Sequence, residues 1–202
     1  GPQDAIELIE AYYQKGWTDG LPVIPPSETS INAMMTAVGL SAGEVVGEIA
    51  ARNVQITADK VAINAVLAGC LPEYMPVVLA AVKGICHPDF GYHGAATSTG
   101  GAAIAIIVNG PVIQQLGINV RDNAFGPGFR PNATIGRALR LLMMNAIDTR
   151  PGRLDRSTLG NPGKYSLCFG EDEENSPWEP LHVEKGFKPE DSTVTVFATE
   201  GT

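Results

Sequence analysis

Between Gly16 and Ser27 the chain reads GWTDGLPVIPPS, with three prolines inside six residues. Proline fixes its own φ and has no N–H to donate, so no helix runs through this stretch. It is expected to be a stiff, extended strap. On one side, Asp4 to Gln14 places Ile6, Ile9, Tyr12 and Tyr13 among Glu7 and Glu10, which is an amphipathic helix that Gly16 ends. On the other, Ser27 suits an N-cap and Ile31, Met34, Met35 and Val38 keep helical spacing. The same punctuation recurs along the chain. With 23 glycines and 15 prolines in 202 residues, the elements must be short and the turns many.

Val45 to Ile56 carries two short strand-like pieces, and Thr57 is placed to cap a helix over Ala58 to Ala68. Gly69-Cys70-Leu71-Pro72 then breaks the apolar run, and Pro72 suits the first turn of a helix reaching about Ile85. Ala102 to Val108 reads as a buried strand, and a short helix is expected from Pro111 to about Gly117. Asn132 reads as the cap of a helix over Ala133 to Asn145, with Ile135, Leu139, Leu142 and Met143 on one face. Beyond Pro151 the chain turns loop-rich, with strands expected at Tyr165 to Phe169 and Thr193 to Ala198. The expected class is α/β: a layered mixed sheet with helices packed on it and a loop-rich C-terminal third. The length suits one domain over residues 1–202, standing as the N-terminal part or one subunit of a larger enzyme. The tail Thr199-Glu200-Gly201-Thr202 follows the last strand without a closing helix, which points the same way.

Composition removes several classes of function. Hydrophobic residues make up 44% and charged residues 18%, enough for a sizeable core. The net charge is −8 and no run of Lys and Arg occurs, so neither nucleic acid nor an anionic membrane is expected as a partner. The longest apolar run, Gly100 to Val108, is strand length and cannot span a bilayer. Three cysteines are too few for a disulfide framework, and a reducing cytoplasm is the expected setting.

Chemistry is expected at four places. Cys70 precedes a helix start, where the partial positive charge favours a thiolate, but Glu73 would oppose it. Cys70 therefore reads as a nucleophile or as a small core residue. In HPDFGYHGAATSTGG the hydroxyls of Thr97, Ser98 and Thr99 lie in a glycine-rich loop suited to a carboxylate or phosphate. In NAFGPGFRPNATIGRALR, Arg130 could clamp a carboxylate beside the helix start at Asn132. The run Glu171 to Glu174 reads as a solvated face, or as a strand delivering Glu171 as a general base, with Lys164 and His182 flanking it. No standard zinc spacing, Walker loop, dinucleotide fingerprint, Gly-x-Ser-x-Gly elbow or His-Glu-x-x-His occurs.

The segments GWTDGLPVIPP, AGCLPEYMPVVLAAV, IVNGP, FRPNATIGRALRL and PGKYSLCFGEDEENSPWEPL together resemble an uncharacterised bacterial protein family over essentially the whole chain. That family is loosely associated with small thioredoxin-like proteins carrying a (seleno)cysteine-Gly-Ser-Cys motif. The resemblance implies that Asp19, Cys70, Glu73, Asn109, Arg130, Asn132 and Glu171 sit in shared motifs. It also implies that a C-terminal portion or second subunit completes the protein. Cys-Gly-Ser-Cys is absent here, so a redox dithiol would come from that partner.

The expected function is a subunit of an enzyme acting on a small anionic metabolite by thiol-based cleavage or reduction of a carbon–heteroatom bond. Cys70, Glu73 and Glu171 are the catalytic candidates. Thr97, Ser98, Thr99, Asn109, Arg130, Asn132 and Asp19 are the substrate-binding candidates. The alternatives are a non-catalytic scaffold for a partner chain, or a metal-dependent lyase or hydrolase using Cys70 or His93. No cofactor is indicated.

Overall fold

The structure, a computed structural model, describes residues 1–200. Gly201 and Thr202, the end of the tail noted above, lie outside the described residues. The architecture is α/β, with eight helices and two small sheets among the described residues.

Helix α1 (Pro2–Gln14) is amphipathic as its spacing predicts, yet it buries none of its residues. Helix α2 (Glu28–Val38) is capped by Ser27, whose Oγ accepts the Ser30 N–H at 3.1 Å, and Gly39 closes it in the left-handed region. Strands β1 (Val45–Ile49) and β2 (Val54–Thr57) form an antiparallel hairpin. Helix α3 (Ala58–Ala68) starts and stops where expected, although the Thr57 side chain turns to Asp59 instead of capping it. Pro72–Tyr74 forms a single 3₁₀ turn before α4 (Met75–Cys86), so the helix begins three residues later than Pro72 suggests.

Helix α5 (Tyr92–Thr97) stands where the sequence reads as a polar loop; it is held by the buried Tyr92 hydroxyl, 2.6 Å from Thr149 Oγ1. Strand β3 (Ile104–Asn109) is followed by α6 (Val112–Leu116) and the long helix α7 (Arg130–Ala146). Strand β4 covers only Cys168–Gly170, because Pro162–Lys164 makes a tight turn and Tyr165 stays exposed. Helix α8 (Leu181–Glu184) and strand β5 (Thr193–Ala198) complete the order. In the three-stranded sheet β3 is central, parallel to β4 and antiparallel to β5, so the sheet is mixed.

The core lies among α3, α4, α7 and β3. Helix α3 packs mainly on α7, and α4 packs on β5 and β1. Ile106, Ile135, Leu139, Leu141, Leu142 and Ile147 are sealed from solvent. A side chain at Gly136 would meet Ser166 Oγ at 2.4 Å and the Leu167 nitrogen at 2.8 Å. Glycine at this turn of α7 therefore lets the segment leading into β4 lie directly on the helix. No described helix is long and apolar enough to cross a membrane.

Candidate functional site

The strap Gly16–Ser27 is fixed by α7 and by Arg150 just beyond its end. Arg137 grips Asp19 with two parallel bonds, Nε to Oδ2 and Nη2 to Oδ1, both 2.8 Å. The same guanidinium donates to the Leu21 carbonyl at 3.3 Å and the Pro22 carbonyl at 2.8 Å. Asn145 donates to the Trp17 carbonyl at 3.1 Å, and Arg150 donates to the Gly16 carbonyl. A proline-rich strap cannot satisfy its carbonyls in a helix, and α7 together with Arg150 supplies the missing donors.

One helical turn on from Arg137, Arg140 and then Met144 face a cleft of about 510 Å³. Its opposite wall is the loop from Pro151 to Tyr165. Spacings of three and four residues put these side chains on one face of α7. At the bottom of the cleft sits Asp155. Lys164 Nζ donates to its two oxygens at 2.9 and 2.7 Å, and Arg140 Nη2 donates to Oδ2 at 3.1 Å. The Ser157 hydroxyl and backbone N–H donate to Oδ1 at 2.6 and 3.1 Å, and Lys164 also reaches Ser157 Oγ. The side chains of Asp155, Arg140 and Lys164 are only 5, 12 and 14% exposed.

Burial alone pushes the Asp155 carboxyl up, but the donors on Lys164 and Ser157 outweigh it and hold the group well below the usual carboxylate range. Two cations thus meet one carboxylate, which leaves one unit of positive charge in the recess. Ser157 and Lys164 touch as a hydroxyl–amine pair. The ammonium is engaged by a carboxylate, so it acts as a donor and has no lone pair for the serine proton.

The loop is anchored on its outer side. Thr158 N–H donates to the Thr99 carbonyl at 3.0 Å, and Asn161 Nδ2 donates to the Gly101 carbonyl at 2.9 Å. Gly101 has φ +83°, and a Cβ there would sit 3.0 Å from the Gly160 Cα, so glycine is required for the two loops to meet.

Most sequence candidates lie elsewhere. Asp19 lines the cleft, but its carboxylate is taken by Arg137. Of the hydroxyl run, only the Thr99 carbonyl touches the cleft loop. Thr97 Oγ1 bonds the His93 carbonyl and Ser98 Oγ accepts the Gly100 N–H.

Arg130 does not stand free for an anion: Nε and Nη2 both donate to the Gly69 carbonyl, at 3.0 and 2.9 Å. Asn132 is not a cap. The α7 helix starts at Arg130, and Asn132 is buried inside it, accepting the Asn119 N–H at 2.8 Å and donating to the Asn119 carbonyl at 3.0 Å.

Cys70 is buried beside Arg130, and its thiol bonds the Thr134 carbonyl at 3.4 Å. Burial pushes this thiol up to about 12, the reverse of the depression expected from a helix start. Glu73 lies on the surface nearby. We expect Cys70 to resist iodoacetamide at pH 8 until the protein is denatured, with half-buried Cys86 reacting first. Peptide mass spectrometry of the native protein reads this directly, and rapid native labelling of Cys70 would contradict it.

Glu171 follows β4, and its Oε2 accepts Asn109 Nδ2 at 2.6 Å and the Leu181 N–H at 2.9 Å. Glu173 Oε1 accepts from the same Asn109 nitrogen at 2.9 Å and from the Gly110 N–H at 2.7 Å. These two carboxylates tie the β3 and β4 ends to α8. His182, 1% exposed, lies with Nδ1 3.8 Å from Glu173 Oε1. Among the described residues, no group of three or more His, Cys, Asp or Glu side chains is placed to hold a metal ion.

Asp155, Ser157 and Arg140 escape a reading of the sequence alone, and Lys164 enters it only as a flank of the acidic run. The available signal was polar residues spaced in DRSTLGNPGK, a glycine- and proline-containing loop, together with Arg137 and Arg140 one turn apart. No protein-family model, curated protein or solved structure matches the chain.

Proposed function

We propose that the chain is the ligand-holding part of an enzyme acting on a small anionic metabolite, received in the cleft between α7 and the Pro151–Tyr165 loop. The observation that supports this is the uncompensated cation: Arg140 and Lys164 against Asp155 alone, all nearly buried, at the bottom of an open recess. A desolvated positive charge attracts an anion more strongly than one in water. Arg140 supplies the free donors, Lys164 adds its charge, and Asp155 fixes both cations in place. Cys70 has no part in this proposal, because a buried thiol of raised pKa is neither accessible nor ionised at neutral pH.

Isothermal titration calorimetry with sodium acetate and sodium benzoate, chloride-matched, tests the reading. One saturable site per chain is expected, and Lys164→Met should weaken it by about 10-fold or more, because the variant removes the unbalanced positive charge that the anion meets. Absence of saturable heat with either anion, or equal affinity in Lys164→Met, overturns it. We place the protein in a reducing cytoplasm beside a second subunit. A disulfide in protein isolated from cells would contradict the first, and full activity of the chain alone would contradict the second.

A further inference from the structure

The charge, donors and lining of the cleft specify its ligand more narrowly. Resting on the anion reading above, we infer that the ligand is a monocarboxylate with a branched or aromatic hydrocarbon body. Three observations converge on this class.

The first is charge. Within the recess Asp19 is neutralised by its two-point pair with Arg137, and Asp155 takes one of the two charges of Arg140 and Lys164. A single negative charge balances what is left. A dianion would carry one unpaired charge into a site whose charged side chains are nearly buried, which is costly.

The second is the set of donors. Phosphate sites in loops are built from free backbone N–H groups that point at the ligand. Here the N–H groups of Gly152, Asp155, Ser157, Thr158, Gly163, Lys164 and Tyr165 donate within the protein, which leaves, among the loop residues lining the cleft, only those of Leu159, Gly160 and Asn161, at the outer part of the loop. Lys164 spends its three N–H groups on the two Asp155 oxygens and Ser157 Oγ, so the side-chain donors left over the charged floor belong to the planar Arg140 guanidinium, which gives only Nη2 to Asp155. Its fork matches the two oxygens of a carboxylate, with the Lys164 charge beside it.

The third is the wall. Met144, Pro151, Leu159, Pro162 and Tyr165 line the cleft around the charged floor. Leu159 is 94% exposed and Tyr165 54% exposed, both at the cleft. These side chains are apolar surface in water, and a hydrocarbon body seated between them removes it from water. A ligand with no such body, such as acetate, fills the charged floor alone.

Calorimetric titration of the full chain with benzoate, acetate, succinate, inorganic phosphate and benzamide separates the possibilities. Benzoate is expected to bind about 10-fold or more tighter than acetate, from burial of its ring. Succinate, phosphate and benzamide should each fall below benzoate. In Leu159→Ser and Tyr165→Ser, both exposed positions where folding is not at stake, the benzoate advantage shrinks while acetate affinity is unchanged. Phosphate or succinate binding as tightly as benzoate overturns the ligand class and leaves the anion reading standing. Acetate equal to benzoate does the same. Benzamide equal to benzoate, or binding by none of the five, overturns both.

Discussion

Asp155→Asn is expected to lose about 3–5 kcal/mol of stability, the range for removing one partner from a buried ion pair. Asparagine keeps the size of the side chain, so packing is not the cause. The loss arises because Lys164 and Arg140 keep their charges in a nearly buried position and face an amide in place of a carboxylate. The Ser157 N–H and hydroxyl, both now directed at Asp155, would also lose an ionised acceptor. The sign of the pH dependence follows from the carboxyl being held below its ordinary value when folded. Its contribution is fully present above the unfolded value of about 3.9 and is lost as pH falls from there through the folded value. Urea unfolding of both proteins from neutral to acid pH should therefore show the gap between them narrowing below about pH 4. A constant gap over that range would contradict the role assigned to Asp155.

Arg137→Ala is expected to cost about 3 kcal/mol or more, again by stranding a buried partner. Asp19 is 4% exposed on its side chain, and Arg137 is its ion-pair partner. The substitution also removes the donor to the Leu21 and Pro22 carbonyls, so the strap loses its main tie to α7. Arg137→Lys should recover only part of the loss, since an ammonium cannot reproduce the two-point fork. Thermal and urea denaturation of Arg137→Ala, Asp19→Asn and the double variant give the coupling. The double variant should be destabilised by clearly less than the sum of the singles. Additive effects would mean that the pair does not hold the strap.

Local rules made the helices readable. Ser27 and Gly39 bracket α2, and Gly69 ends α3, because caps and left-handed stops act on neighbouring residues. The same rules misplaced the start of α7. Asn132 looks like a cap, but Pro131 is itself in the first turn of a helix that begins at Arg130, and the Asn132 amide is spent on Asn119. Helix α5 escaped because Gly94 weakens its local preference, and its support comes from Thr149, far along the chain. Strand β4 starts at Cys168 and not at Tyr165 because the turn at Pro162–Lys164 pulls Tyr165 out of the sheet.

The cleft was less readable than the fold, for a related reason. Asp155, Ser157 and Lys164 sit in a loop without periodicity, and their meaning depends on Arg140 arriving from α7. Arg130 shows the converse. Its position beside a helix start suggests an anion site, but the Gly69 carbonyl, brought close by the turn after α3, takes both of its donors. Cys70 shows it again: a helix terminus lowers a thiol pKa only where burial does not outweigh it.

The central claim is that an anion is received by Arg140 and Lys164 in this cleft. The most direct measurement is a benzoate titration followed by nuclear magnetic resonance of the Arg140 Nε–H and the backbone amides of Ser157, Leu159 and Lys164. Saturable shifts are expected at these groups, following one binding curve, with the Arg130 side chain unmoved. Shifts confined to Arg130 or to the Asn109–Glu173 cluster, with the Arg140 signal unchanged at saturation, would contradict it.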